Sequence, residues 1–449
     1  MKKVKLLILL LTICTVAQAQ SISGNWFGLA KIGASNLRLV FELQQKEDSY
    51  TGKLFSIDQA GVSADIENLS FSNNNINLEV PSWGFVYKGV LNPEDETIEG
   101  SFTQMGQTFE LNLSRKPFEW KRPQEPKAPF PYISEDVTFK NNNAGITLAG
   151  TFTRPIKDGV YPTVIMVSGS GPQDRNEELF EHKPFLLIAD YLTRNGIAVL
   201  RYDDRGIAQS EGNYASATVQ DFTEDARAAL DYIKTRNDVN SNNIGIIGHS
   251  LGGGIAFVLA AEENPSFIIS LAGVAVSGRE LMSTQQKDML RAGGAPDDFI
   301  NPYVETLDKL SELAVTIADD EEFKPKALEL FKGSSMEAQA ENIIQRCRTP
   351  EIMTTITFEP YKSFKDIHCA VLALNGEKDL QVNVKDNFAL IEMIRDNGNN
   401  KITTKSYPRL NHLFQTCETG AIAEYQQIEE TISPEVLKDM VDWIKEITK

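Results

Sequence analysis

Cysteine and histidine are scarce in this chain, four of each in 449 residues, and basic residues are outnumbered, 44 Lys and Arg against 62 Asp and Glu. Cys14, Cys347, Cys369 and Cys417 have no metal-ligand spacing, so neither a metal nor a cofactor is expected. A formal net charge of −18 excludes a protein that tracks phosphates, and no nucleic-acid partner is expected. The simpler meaning of the acidic balance is a negative, solubilising surface. Long apolar runs are missing after the first twenty residues, which excludes a membrane span there. No Lys-Ser or Lys-Thr follows the glycine-rich turn Ser168–Pro172, so that turn does not read as a phosphate loop.

The N-terminus is the one long apolar stretch. Lys2, Lys3 and Lys5 precede Leu6–Val16, and Ala17-Gln18-Ala19 follows, the three-part layout of a signal peptide over residues 1–19. Cys14 lies inside the apolar segment after Ile13, a poor site for a lipid anchor. An exported protein beginning near Gln20 is expected, periplasmic or extracellular. Losing three lysines and no acids takes its charge to −21 (−18 minus 3). Three cysteines then remain; they allow one disulfide at most, and buried thiols are the default.

About 430 mature residues exceed what one core usually holds, so at least two domains are expected. Residues 20–115 are short alternating runs such as Leu37–Leu43, Ile76–Val80 and Phe109–Leu113, which predict an antiparallel β-domain, a small barrel or a sandwich. Gly24-Asn25-Trp26 resembles the opening of lipocalin-like barrels, with Trp26 filling the barrel base. Residues 116–133 hold five prolines and predict an extended linker, whose Trp120, Phe130 and Tyr132 can dock on one domain.

From residue 134 strands alternate with helices: Thr163–Val167, helix Phe185–Arg194, Ala198–Tyr202, helix Phe222–Thr235, Asn243–Ile247, Val371–Leu374, Ile402–Tyr407 and helix Pro434–Ile447. This α/β pattern predicts a mostly parallel sheet covered on both faces. Between Gly273 and Cys369 the rhythm breaks. Val304, Leu307, Leu310, Leu313 and Ile317 recur at helical spacing there, so a helical cap over about 278–365 is expected at the sheet's C-terminal edge.

Gly248-His249-Ser250-Leu251-Gly252 follows the apolar run Asn243–Ile247 and precedes a helix-forming stretch, which reads as a strand-to-helix nucleophile elbow. Small residues two before and two after the serine are needed because a Cβ there would clash. The five-residue pattern alone arises by chance in roughly one of ten such chains; its strand and helix flanks give it weight.

Ser250 needs an imidazole to take its proton and a carboxylate to orient that imidazole. His249 lies inside the elbow and should point away from Ser250, His182 precedes a surface-type helix, and His368 lies just before a strand. His412 follows a strand end, at the edge where open α/β sheets bind ligands, and is the expected base. Asp379 and Glu377 both follow Val371–Leu374; Asp379, at the loop tip, is preferred. The order Ser250, Asp379, His412 is that of α/β-hydrolases, not of chymotrypsin or subtilisin. Oxyanion donors are expected at the N–H of Leu251 and, in the turn Ser168–Pro172, of Ser170.

Gly169–Arg175, Arg201–Gly206, Gly248–Gly253, Leu374–Val382 and Asn411-His412, in that order, resemble the α/β-hydrolase superfamily. The resemblance covers 135–449 and is to the bacterial branch that joins dienelactone-hydrolase-like esterases to serine aminopeptidase-like proteins. It implies Ser250 as nucleophile, Asp379 as orienting acid, His412 as base, and Ser170 and Leu251 at the oxyanion hole. One departure is Ala208, where the family usually has a second glycine after Gly206. Asp203 and Arg205 are expected to buttress the site by ion pairing.

The expected function is a serine esterase cleaving carboxylic esters of small acyl groups through an acyl-enzyme. The alternative is a serine aminopeptidase-like peptidase acting on short peptides, and the acid run Asp319–Glu322 in the cap is the feature that would hold an ammonium, although such runs are usually solvated. A noncatalytic protein whose β-domain binds a glycan or lipid is a third reading; failure of a fluorophosphonate to label Ser250 would favour it.

Overall fold

A computed structural model describes residues 21–32, 35–47, 49–59 and 62–449. The expected leader over residues 1–19 lies outside the described residues. The chain divides between Glu119 and Trp120 into two compact units.

The first unit is antiparallel throughout: β1 Gly24–Ile32, β2 Ser35–Lys46, β3 Ser49–Ser56, β4 Val62–Ser72, β5 Asn75–Val80, β6 Phe85–Asn92, β7 Thr97–Gln104, β8 Gln107–Glu110 and β9 Leu113–Ser114. The sheet order β6-β5-β4-β3-β2-β1-β9-β7-β8 is closed by β6 pairing with β7, so the barrel is adopted and not the sandwich. Trp26, Phe41, Leu54, Tyr87 and Phe102 fill it, each full burial worth roughly 1.5–3 kcal/mol. Trp26 is buried as expected, with Arg115 3.8 Å above its ring. Gly100 has a specific reason: a Cβ there would stand 2.3 Å from the Tyr87 hydroxyl, which donates to the Leu111 carbonyl.

The expected strand Phe109–Leu113 is two strands. After β8 the chain crosses to lie between β1 and β7 as β9, while Leu111 and Leu113 both stay buried. Alternation therefore continues across a break that periodicity does not register.

In the second unit the strands and helices are β10 Ile133–Asn141, β11 Ile146–Arg154, β12 Tyr161–Val167, α1 Pro184–Arg194, β13 Ala198–Tyr202, α2 Val219–Lys234, β14 Val239–His249, α3 Leu251–Glu263 and β15 Phe267–Leu271. An insertion follows, with α4 Gly278–Ala292, α5 Asp297–Thr316, α6 Asp320–Phe331, α7 Ala340–Cys347 and α8 Pro350–Ile356. The sheet then resumes with β16 Ala370–Gly376, α9 Val384–Ile391, α10 Met393–Asp396, β17 Ile402–Tyr407, α11 Ile422–Tyr425 and α12 Pro434–Ile447. The order is β10-β11-β13-β12-β14-β15-β16-β17, antiparallel at β10, β11 and β13 and parallel from β13 to β17.

The strands read as unbroken apolar runs because both faces are covered. Ile246, Ile268 and Val371 face the core that holds α2 and α3; their neighbours Ile247, Ile269 and Leu372 face the core that holds α1 and α12. α2 starts at a capping box between Thr218 and Asp221, worth about 1 kcal/mol. α12 starts with Pro434 in its first turn and buries Val436, Leu437, Met440, Val441 and Ile444.

The proline-rich segment belongs to the second unit from Trp120 on. The Arg122 guanidinium donates to the carbonyls of Phe180 and Gln426, the Gln124 amide exchanges bonds with the backbone of Thr431 and Ile432, and Tyr132 is buried. Side chains therefore tie this extended stretch to the rest of the unit.

The insertion is helical over the expected span and has its own core of Leu310, Phe323, Ala327, Phe331 and Ile344. It leaves the sheet at the C-terminal end of β15. α8 meets the start of α2, where Val219 N–H donates to Thr354 Oγ1 and the Tyr214 hydroxyl donates to Glu351.

Candidate functional site

β12 has β13 on one side and β14 on the other, so the chain winds both ways from it and leaves a crevice beyond the strand ends. The turn Ser168–Pro172 and Ser250 flank that crevice. Ser250 has φ 54° and ψ −118°, a strained conformation that a non-glycine residue holds only when its surroundings force it. The surroundings are backbone at closest approach. A Cβ on Gly248 would lie 2.1 Å from the Gly252 carbonyl oxygen, and one on Gly252 2.1 Å from that of Val167. Ser250 is half-buried, and its N–H donates to the Leu271 carbonyl.

Asp379 and His412 are brought together. His412 Nδ1 lies 2.8 Å from Asp379 Oδ2, with both side chains almost wholly buried. Asp379 Oδ1 accepts the N–H groups of Gln381 and Val382 at 2.8 and 2.9 Å, so each carboxylate oxygen has a fixed task. Glu377 is exposed and accepts the Ser406 hydroxyl, which leaves Asp379 alone at the histidine. The His412 loop is held by Asn411, whose Oδ1 accepts the N–H groups of Leu413 and Gln415. The His412 ring is 4.8 Å, centroid to centroid, from that of His249, the neighbour of Ser250. No hydrogen bond joins Ser250 to His412 among the described residues; such bonds are often long without a substrate.

Gly169 lies against Ser250, where a Cβ would approach the Ser250 Cβ to 3.2 Å. In its turn the Gly169 N–H donates to Glu177, and just after it Gln173 N–H donates to Asp204 and Arg175 N–H to Asp203. Neither Ser170 N–H nor Leu251 N–H donates a hydrogen bond among the described residues. Leu251 opens α3, where the first amides have no partner within the helix and the dipole favours negative charge.

Three acids buttress this turn. Asp203 takes the Arg175 guanidinium in two bonds, of 3.0 and 2.6 Å, and Arg205 turns away to Asp221 and Asp225, so the expected ion pairing is present with partners that sequence does not name. Asp204 accepts the Ser168 hydroxyl and Gln173 N–H; burial pushes its carboxyl up to about 7 against those bonds.

His182 departs from the surface setting expected of it, and His249 has partners of its own. His182 is buried, bonded to Thr431 and the Tyr425 carbonyl, and burial together with Arg122 lowers it to about 4, so it is a neutral structural group. His249 is not a bystander. Its Nδ1 is 2.9 Å from Glu177 Oε1, and its Nε2 is 3.2 Å from the His412 carbonyl. Burial opposes its charge, but Glu177 and that carbonyl outweigh it and raise the imidazole above its ordinary pKa. Sequence reasoning misses Glu177 altogether; the one signal near it is the carboxylate-rich run from Asp174 to Glu178, directly after the glycine turn.

Ala208 has φ 46°, the left-handed conformation that explains a glycine at this position elsewhere in the family resemblance. Cys347, Cys369 and Cys417 are buried thiols. Among the described residues no cluster of His, Cys, Asp and Glu could hold a metal, and no helix is long and apolar enough to cross a membrane.

The family described as "Serine aminopeptidase, S33" matches residues 182–296, a span that contains the elbow. An esterase, EstD, of Thermotoga maritima is 27% identical over 266 residues, 59% of this chain and 62% of its own length. An acyl transferase of Photobacterium leiognathi is 33% identical over 119 residues, 26% of this chain and 37% of its own. The chain thus spans less than two thirds of either relative. Among solved structures, an esterase of Pyrococcus furiosus aligns over 74% of this chain and 98% of its own at 15% identity, with a TM-score of 0.45. The elbow, the two-faced sheet and the family match, all in one unit, support the α/β-hydrolase superfamily for this chain.

Proposed function

We propose that this protein is an exported serine esterase that cleaves carboxylic esters of small acyl groups through an acyl-enzyme. Ser250 Oγ attacks the ester carbonyl while His412 Nε2 takes its proton; Asp379 holds the Nδ1–H and offsets the charge on the imidazolium. The N–H groups of Ser170 and Leu251 receive the oxyanion, each such donor being worth a few kcal/mol. Collapse breaks the C–O bond, the alcohol leaves with the proton from His412, and water repeats the sequence on the acyl-enzyme.

The observation that carries this reading is the 2.8 Å bond between buried His412 and Asp379, at the sheet edge where Ser250 is held at φ 54°. The named esterase relative supports the substrate class. A p-nitrophenyl ester series from acetate upward tests it, with turnover expected to favour short acyl groups and to vanish in Ser250→Ala. Full activity in that variant refutes it.

A serine aminopeptidase-like peptidase is the second reading, favoured by the description of the matching family. Aminoacyl-arylamides, assayed beside the esters, separate the two. Export is tested by the N-terminal sequence of secreted protein, expected near Gln20.

A further inference from the structure

His249 turns both ring nitrogens toward acceptors, the Glu177 carboxylate and the His412 carbonyl. A neutral imidazole has one N–H and cannot donate to both, so the arrangement calls for an imidazolium with Glu177 as its counter-ion. The same Glu177 oxygen accepts Gly169 N–H at 2.7 Å. One carboxylate oxygen and one ring therefore tie together three separate segments: the turn after β12, the elbow after β14 and the loop after β17. Glu177 is buried and has φ 52°, which costs a residue with a Cβ roughly 1–2 kcal/mol.

Resting on the roles given above to Ser250, His412 and Asp379, we propose that Glu177 and His249 are positioning residues: an ion pair that fixes the oxyanion turn against the histidine loop and keeps a positive charge beside His412. The ionisable groups facing His249 are Glu177, Asp379 and His412, and the Glu177 charge also bears on Asp204. The His249 charge sits 4.8 Å, ring centroid to ring centroid, from the proposed base.

The test is the pH profile of kcat/KM for p-nitrophenyl butyrate in wild type, His249→Gln, Glu177→Gln and the double variant. In His249→Gln the acid limb should move up by about one pH unit, because the positive charge beside the proposed base is gone. Its kcat should fall by about tenfold or more with KM little changed, since the groups are displaced and substrate contacts are not. The double variant should lose no more than the worse single variant, as members of one couple do. The position of the limb does not depend on the folded fraction, and if the Gln variant does not fold, His249→Asn takes its place. An unmoved limb, or losses that multiply in the double variant, overturns the couple. Wild type without ester turnover or fluorophosphonate labelling overturns the serine-hydrolase reading, and the couple with it.

Discussion

Asp379→Asn should cost about 10⁴-fold in kcat, because it changes a tautomer without changing a shape. Asp379 uses Oδ1 to accept two backbone N–H groups, from Gln381 and Val382, and Oδ2 to accept the His412 Nδ1–H. An asparagine in the same place can keep its carbonyl oxygen toward the two amides only by turning its NH2 toward His412. The ring must then accept at Nδ1, which moves its proton to Nε2, the nitrogen that receives the Ser250 proton in the proposed mechanism. The flipped amide would rescue the tautomer, but it would set its NH2 against two N–H donors, a buried one on Val382 and a part-buried one on Gln381. At about 1–3 kcal/mol for each unsatisfied donor, the flip is disfavoured by roughly 2–6 kcal/mol. The loss of 10⁴ corresponds to about 5.5 kcal/mol of barrier. Saturating p-nitrophenyl butyrate at pH 8 measures it, with a melting curve to show that the fold is kept. Activity within tenfold of wild type would refute the reasoning.

Asp204 keeps its proton up to about pH 7 when folded and releases it near its ordinary 3.8 when unfolded, so the native state binds the extra proton between those values. The stability it contributes falls as pH rises through that window, by on the order of 4 kcal/mol. Asp204→Asn should flatten that dependence, seen as a higher urea midpoint at pH 8 with little change at pH 4. Ser250→Gly should abolish turnover and yet raise the urea midpoint, because φ 54° and ψ −118° store about 1–3 kcal/mol that glycine does not carry. Ala208→Gly should stabilise by about 0.5–1 kcal/mol, relief at φ 46° exceeding the entropy glycine adds to the unfolded chain; a lower midpoint would show that the loop needs the methyl group.

The elbow is legible because its demand is local: two glycines, a serine and a strand lie within one short run, and steric contact dictates all of them. Asp379 and His412 are legible because each directly follows a strand whose apolar run ends clearly. The Glu177–His249 couple is not, since its bonds join residues 72 and 163 positions apart and nothing in local periodicity marks them. His182 misleads for a related reason: the bonds that bury it come from Thr431 and Tyr425, far along the chain. The break at Leu111 escapes notice because both halves keep the same buried alternation.

To the sheet, everything between Leu271 and Ala370 is a single crossover between neighbouring parallel strands, whose register runs from Phe267 opposite Ala370 to Leu271 opposite Leu374. That register fixes where the excursion begins and ends and says nothing about what fills it. The filling keeps its own apolar interior, and Ser250, Asp379 and His412 all lie outside it. Such a segment is built as a cassette: its length and packing can change without altering the strand register on either side of it.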